Sequence, residues 1–196
     1  MNTDKLREDI IFEDNIRGFD IAIHSSWGLF SPKEVDSGSR LLMDCLEINE
    51  SDVCLDMGCG YGVIGVVMAK LAPNGKVYMI DRDFVAVDYA KKNAEFNHIR
   101  SYEAFLSNAF SHIPDGLQFD VIASNLPAHV KKEVLYLMLS DAKKHLKIGG
   151  KLYVVTMARL RDFIKRNFTE IFGNYDKVNK VKQSREHAVH LGIRES

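Results

Sequence analysis

Residues 55–65 read Leu55-Asp56-Met57-Gly58-Cys59-Gly60-Tyr61-Gly62-Val63-Ile64-Gly65. The run lies where a short apolar segment, 52–57, gives way to glycines and then to an apolar stretch with helical character, 61–71. A buried strand, a glycine turn and a helix form the opening unit of a doubly wound sheet. In such a sheet ligands bind at the carboxyl ends of the strands, beside the point where strand order reverses. Glycine lets the backbone turn tightly and approach a ligand with no Cβ in the way. Asp81 ends the next apolar segment, 76–80. An acidic side chain there accepts hydrogen bonds from the ribose hydroxyls of a nucleoside.

Strands and helices alternate outward from this unit. Downstream, the pattern predicts a helix over 83–96, a strand over 102–106, a loop at 112–116 and a strand over 119–124. A helix follows over 130–146, closed by Lys147-Ile148-Gly149-Gly150 with glycine where a C-cap wants it. Then come a strand over 151–156, a helix over 160–172 ending at Gly173, and two last strands, 175–181 and 187–193. The short link between these two predicts an antiparallel hairpin. Upstream, apolar spacing gives a helix over 35–46, and the two short apolar stretches around His24-Ser25-Ser26 suggest a hairpin. The acid-rich residues 1–18 read as a loose arm or a surface helix. The expectation is an α/β protein, a doubly wound, mostly parallel, seven-stranded Rossmann-like sheet. It consists of one domain over 19–196, in which 19–46 form a cap segment and 47–196 the core.

Composition narrows the function. The 196 residues are 46% hydrophobic and 27% charged, with a net charge of −1. That balance argues against holding duplex nucleic acid by bulk charge alone. Cys45, Cys54 and Cys59 have no CxxC spacing, and the histidines share no metal-ligand spacing, so no metal is expected. His187 and His190 fall on a predicted strand, where their spacing sends them to opposite faces. The N-terminus lacks the marks of a signal peptide, and no apolar run approaches a membrane span; a cytoplasmic domain without a membrane partner is expected. Eight basic residues between Arg159 and Arg185, among them Lys177, Lys180 and Lys182, form either a solvated face or an edge for RNA phosphates.

Two cofactors compete for the glycine run. Gly60-x-Gly62-x-x-Gly65, with Asp81 some 21 residues after Gly60, matches the dinucleotide fingerprint. Asp56 weighs against it, because a carboxylate at the strand tip repels a pyrophosphate. S-adenosylmethionine instead presents an ammonium and a sulfonium, which favour carboxylates. The Asp-x-Gly-x-Gly-x-Gly run at 56–62, with Asp81, resembles class I S-adenosylmethionine-dependent methyltransferases. The segment Gly28-Leu29-Phe30-Ser31-Pro32-Lys33-Glu34-Val35-Asp36-Ser37-Gly38 resembles the "methyltransferase small" family, with order kept from about 19 to 193. That family includes ribosomal RNA guanine-N2 methyltransferases and small stand-alone relatives. The resemblance implies S-adenosyl-L-methionine as cofactor. Its site would comprise Asp56, Gly58, Cys59, Gly60, Gly62, Asp81, Arg82, Asn108, Ala109 and Asn125. Asn108 stands where the family places an Asp against the adenine amine, and its amide keeps one acceptor oxygen.

The predicted strand 119–124 runs into Asn125-Leu126-Pro127-Ala128-His129. Here the resembled family has Asn-Pro-Pro and an aromatic residue. The resemblance makes Asn125, Leu126 and Pro127 the catalytic turn. The Asn125 oxygen and the Leu126 carbonyl would accept hydrogen bonds from an exocyclic amine and aim its lone pair at the methyl group. Leu126 replaces the first proline, predicting a looser backbone. Ala128 replaces the aromatic that stacks on a flipped base, unless Trp27, Phe30 or Phe110 stands in. Trp27, Phe30, Lys33 and His129 are the substrate candidates, with His129 also a candidate base. The implied activity is N-methylation of an exocyclic amine, guanine N2, in an RNA partner. A small-molecule or protein methyltransferase, a non-catalytic S-adenosylmethionine-binding module and a nicotinamide oxidoreductase remain as alternatives.

Overall fold

The computed structural model describes residues 3–6, 8–127, 130–173 and 186–196. Its first element corrects the expectation for 1–18. Ile10–Ile16 forms strand β1 and pairs antiparallel with Phe19–Ser25, strand β2, in the register Ile10↔Ser25 to Ile16↔Phe19. Arg17 and Gly18 join them with φ of 54° and 85°. Two positive φ values in a two-residue turn match the right-handed twist of the flanking strands. The hairpin therefore turns at Arg17-Gly18, not around His24. Ile16 is buried and Phe12 packs on the core while Glu13 and Asn15 face water, a two-residue period that the acid-rich composition obscured.

Helix α1, Ser37–Cys45, starts at Asp36, whose side chain accepts from Ser39 N–H at 2.9 Å. Arg17 closes the other end, donating to the carbonyls of Met43 and Leu46. The alternation follows: β3 Val53–Met57, α2 Val63–Leu71, β4 Lys76–Asp81, α3 Phe84–Phe96, β5 Tyr102–Leu106, β6 Phe119–Asn125 and α4 Lys132–His145. The chain ends with β7 Leu146–Met157, a short 3-10 turn at Ala158–Leu160, α5 Arg161–Phe172 and β8 His187–Ile193.

Among the described residues six strands form one sheet in the order β5-β4-β3-β6-β7-β8. All pairs are parallel except β7 with β8. The fold class is as expected: doubly wound, Rossmann-like, with an antiparallel strand at the C-terminal edge. The further strand expected at 175–181 lies outside the described residues. From β3 the chain winds outward through β4 and β5, then returns to place β6 on the other side of β3. The reversal point is the β3–β6 boundary. One apolar core, under α1, α2, α3 and the β1–β2 hairpin, takes Cys54 from β3. The other, under α4 and α5, takes Leu55 and Met57. Asp56, on the Cys54 side by alternation, is directed at α2.

A second correction concerns Gly149. No glycine caps α4, because β7 begins at Leu146 directly after His145. The pairing jumps from Phe119↔Leu146 to Val121↔Lys151, an irregularity that Gly149 serves with φ 81°. Gly149 N–H donates to Arg194 O and Arg194 N–H to Gly150 O, which prolongs the contact with the end of β8.

Candidate active site

The glycine run folds over the tip of β3 and is pinned from β4. Gly58 and Cys59 both donate their N–H to Ile80 O, at 2.8 and 2.9 Å. Asp81 Oδ2 accepts Gly60 N–H at 2.9 Å, and its Oδ1 accepts Asp83 N–H at 3.0 Å. Asp81 thus shapes the loop as well as standing at the strand end expected for a ribose partner. Gly58 and Gly60 have φ of 72° and 54°, and no atom lies within 4 Å of where a Cβ on either would stand. These two line an open cradle. Gly62 and Gly65 do not: a Cβ on Gly62 would meet Ala90 at 2.9 Å, and one on Gly65 would meet Met79 at 2.5 Å. Gly62, assigned to the cofactor from sequence, lets α2 lie close against α3 and β4. The Cys59 side chain is buried, and Arg82 is exposed just past the Asp81 carboxylate.

Asp56 is fully buried. Its Oδ2 accepts Gly65 N–H at 2.8 Å and its Oδ1 has no partner. Burial pushes its pKa up to about 7, against the lowering effect of the Gly65 hydrogen bond. An orphaned buried oxygen beside a cradle open at Gly58 and Gly60 fits a ligand that brings a cation. The donor set fits S-adenosylmethionine better than a pyrophosphate.

Ser107 N–H donates to Asp81 O at 2.8 Å, which sets the next residue, the exposed Asn108, beside the acidic strand end. Ala109 follows at φ 50°, and Ser107 Oγ donates to its carbonyl. Phe110 is buried and stacks on His145 with ring centroids 4.6 Å apart. It is therefore not available to stack on a substrate.

Across the reversal point, Ser124 Oγ donates to Met57 O at 2.7 Å and joins the tips of β3 and β6. Asn125 is the last residue of β6. Its Nδ2 donates to Asp36 Oδ2 and to Ser39 Oγ, each at 2.9 Å. Leu126 overturns the looser backbone expected of it. Its N–H, which a proline would lack, donates to Val155 O at 3.0 Å, and its side chain is buried in the α4–α5 core. Pro127 is exposed. Ala128 and His129, and with them the proposed base, lie outside the described residues, as do Lys177, Lys180, Lys182 and Arg185.

Residues 26–36 bridge these two halves. Tyr61 OH donates to Glu34 O at 3.3 Å, and Asp36 holds Asn125. On this bridge Trp27 and Phe30 are 48% and 69% exposed, large apolar surfaces left to solvent. Lys33 Nζ sits 4.6 Å from the Trp27 ring centroid. Sequence reading did not single out Asp36 or Ser39 for this role. The only available signal was an N-cap Asp followed by a Ser three residues on. His187 approaches Ser37 Oγ at 3.5 Å, while His190 is buried and 3.2 Å from Thr156 Oγ1.

The family model of the methyltransferase small domain matches residues 20–185. The chain is 38% identical over 141 residues to the uncharacterized protein YbxB of Bacillus subtilis, covering 71% of this chain and 70% of that protein. It is 36% identical over 144 residues to the ribosomal RNA small subunit methyltransferase C of Haemophilus influenzae, covering 71% of this chain but 43% of that one. Among solved structures, the Thermus thermophilus 16S rRNA N2 G1207 methyltransferase, in complex with AdoMet and guanosine, superposes with a TM-score of 0.84. That match covers 95% of this chain and 50% of the other, at 24% identity. The chain thus spans about half the length of the ribosomal RNA methyltransferases it matches.

Proposed function

The chain belongs to the methyltransferase small domain family, and from that premise we propose that it methylates an exocyclic amine of a nucleobase, guanine N2, in ribosomal RNA in the cytoplasm. One observation carries the reading. The cradle at Gly58 and Gly60 and the Asn125-Leu126-Pro127 turn stand on the adjacent strands β3 and β6, tied by Ser124 Oγ to Met57 O.

The cofactor supplies a methyl group on a sulfonium. Asp56, Gly58, Gly60, Asp81 and Asn108 would hold it, with Arg82, Cys59 and Ala109 around them. The chain's own part is placement. Asn125 Oδ1 and the Leu126 carbonyl accept the two hydrogens of the amine, which fixes its lone pair toward the cradle. As the nitrogen attacks, positive charge grows on it, and two preoriented acceptor dipoles stabilise that charge without reorganising. The amine becomes a strong acid only once it carries the methyl group, so no base is needed before transfer and the surplus proton then leaves to water. Alignment of this kind is worth up to ~7–11 kcal/mol of barrier.

Trp27 and Phe30 take over the stacking surface that Ala128 lacks, and Lys33 adds a cation for a flanking phosphate. The ribosomal RNA substrates of the Haemophilus and Thermus relatives support an RNA substrate over a metabolite. The test is incubation with labelled S-adenosylmethionine and ribosomal RNA transcribed in vitro, then nucleoside mass spectrometry. Label in N2-methylguanosine is expected. Label only in protein or metabolite fractions would sink the RNA assignment.

A further inference from the structure

We infer that Asp36 and Ser39 are positioning residues that hold the Asn125 carboxamide with its oxygen, rather than its nitrogen, toward the target amine, an assignment that rests on the amine-transfer reading above. The chemistry of the partners fixes the orientation. An amide NH2 has two hydrogens. Asn125 Nδ2 gives one to Asp36 Oδ2 and the other to Ser39 Oγ, each at 2.9 Å. A carboxylate only accepts, so the atom facing Asp36 must be the NH2; a flipped amide would set oxygen against oxygen. Both donors are therefore spent inside the protein, and Oδ1 remains as the acceptor at the end of β6.

That choice bears directly on the reaction. Asn125 left to itself could offer a donor as readily as an acceptor, and a donor facing the amine would oppose the charge growing there. The carboxylate behind Nδ2 also polarises the amide and adds negative charge to Oδ1. Asp36 is itself held: the same Oδ2 accepts Ser39 N–H at 2.9 Å, so the first turn of α1 fixes the carboxylate. Gly38 completes the fit. A Cβ there would stand 3.0 Å from Asp36 Oδ2 and 2.9 Å from His187 Cδ2, so a side chain would displace the lock. The lock reaches across 89 residues of sequence, from the bridge to the catalytic turn.

The test uses the full chain and the variants Asp36→Ser, Asp36→Asn and Ser39→Ala. Serine is as good an N-cap as aspartate but too short to reach Asn125, so α1 keeps its start. Asparagine can keep its oxygen at the Oδ2 position and so rescues the geometry. In 15N-labelled protein the Asn125 side-chain amide, assigned by its loss in Asn125→Asp, should exchange with water slowly in wild type and Asp36→Asn. It should exchange at least ~5-fold faster in Asp36→Ser and Ser39→Ala, the factor that losing a hydrogen bond of about 1 kcal/mol gives. Equal exchange in wild type and Asp36→Ser overturns the lock.

In the transfer assay, Asp36→Ser should lower kcat by ~10- to 100-fold, the scale of a small misplacement at the reacting centre. Asp36→Asn should restore most of it, with S-adenosylmethionine affinity unchanged in both. An unchanged kcat in Asp36→Ser, or a loss matched by an equal loss of cofactor affinity, overturns the positioning role. A wild-type protein that transfers nothing to ribosomal RNA overturns the amine-transfer reading instead, and the amide exchange still decides the lock.

Discussion

Asp56 has a carboxylate with one oxygen bonded to Gly65 N–H, the other without a partner, and no exposure to water. Burial raises its pKa to about 7. A carboxyl raised above its unfolded value binds more protons in the native state, so the fold without ligand loses stability as pH climbs from about 4 to 7 and levels off above. A cationic ligand reverses the preference by favouring the ionised form. The affinity for S-adenosylmethionine should therefore rise with pH, with Kd about tenfold lower at pH 8 than at pH 6 for a group titrating near 7. Calorimetry across that range checks it. The slope should vanish in Asp56→Asn, and a flat profile in wild type would remove Asp56 from the cofactor's surroundings. Phe30 offers a second measurement at this scale. Stacking on one base is worth roughly 1–3 kcal/mol. Phe30→Ala should thus raise KM for RNA about 5- to 150-fold while leaving cofactor affinity unchanged. An unchanged KM would move the stacking role to Trp27.

At the scale of elements, Asn93 on α3 and Asn97 at its C-cap act as a short extra strand. Asn93 accepts His24 N–H and donates to His24 O and Tyr61 O, at 2.7–2.8 Å. One turn later Asn97 accepts Ala22 N–H at 3.1 Å and donates to Ala22 O at 2.7 Å. Their carboxamides satisfy the free edge of β2 and so dock the hairpin on the helix. Each substitution strands buried backbone groups, which costs about 1–3 kcal/mol. Asn93→Ala should lower Tm by about 2–12 °C for a chain this long, measured by calorimetry without ligand; a shift under 1 °C would show that water replaces the amide. In the Asn125-Leu126-Pro127 turn, Leu126→Pro would restore the family's residue but delete the N–H to Val155 O and empty a buried site. It should destabilise the fold, whereas a rise in Tm would show that proline fits this backbone better. The helix-period and strand-period segments from β3 onward were readable as elements, because each buries a whole face within one segment. The β1–β2 hairpin was not, because its apolar period was short and interrupted by Glu13, Asp14 and Asn15.

At the scale of the whole molecule, the N-terminal segment is fastened to the core at several places. Asp9 accepts from Tyr89 OH at 2.8 Å, pairs with Lys92, and lies 2.9 Å from His24 Nδ1. Burial alone would raise the Asp9 carboxyl, but these three hydrogen bonds outweigh it and hold it at about 2. A carboxyl depressed in the native state adds stability that is fully present above about pH 4 and is lost as pH falls toward 2. Asp9→Ala should therefore lower Tm by a few degrees at pH 6, and the gap to wild type should close between pH 4 and 2. A gap that persists at pH 2 would assign the loss to packing. Residues 26–36 follow directly on this docked hairpin and reach both strand tips, through Glu34 O to Tyr61 and through Asp36 to Asn125.

Legible in the order of the amino acids were the layered α/β fold, the succession of elements from β3 to α5, and the glycine and Asn125-Leu126-Pro127 turns at the strand ends. Glycine spacing, apolar period and the acidic ends of strands are local properties, written within a few residues of one another. Which glycines of the run are open and which are packed depends on the assembled sheet: Gly58 and Gly60 are open, while Gly62 and Gly65 are closed by Ala90 and Met79 from other segments. Tertiary structure also withdrew Phe110 from the substrate side, anchored Leu126 through Val155, and brought Asp36 and Ser39 onto Asn125. The physical reason is the same in each case. A side chain's exposure and the direction of its hydrogen bonds depend on partners far away in the chain, and those partners arrive only when the sheet is assembled.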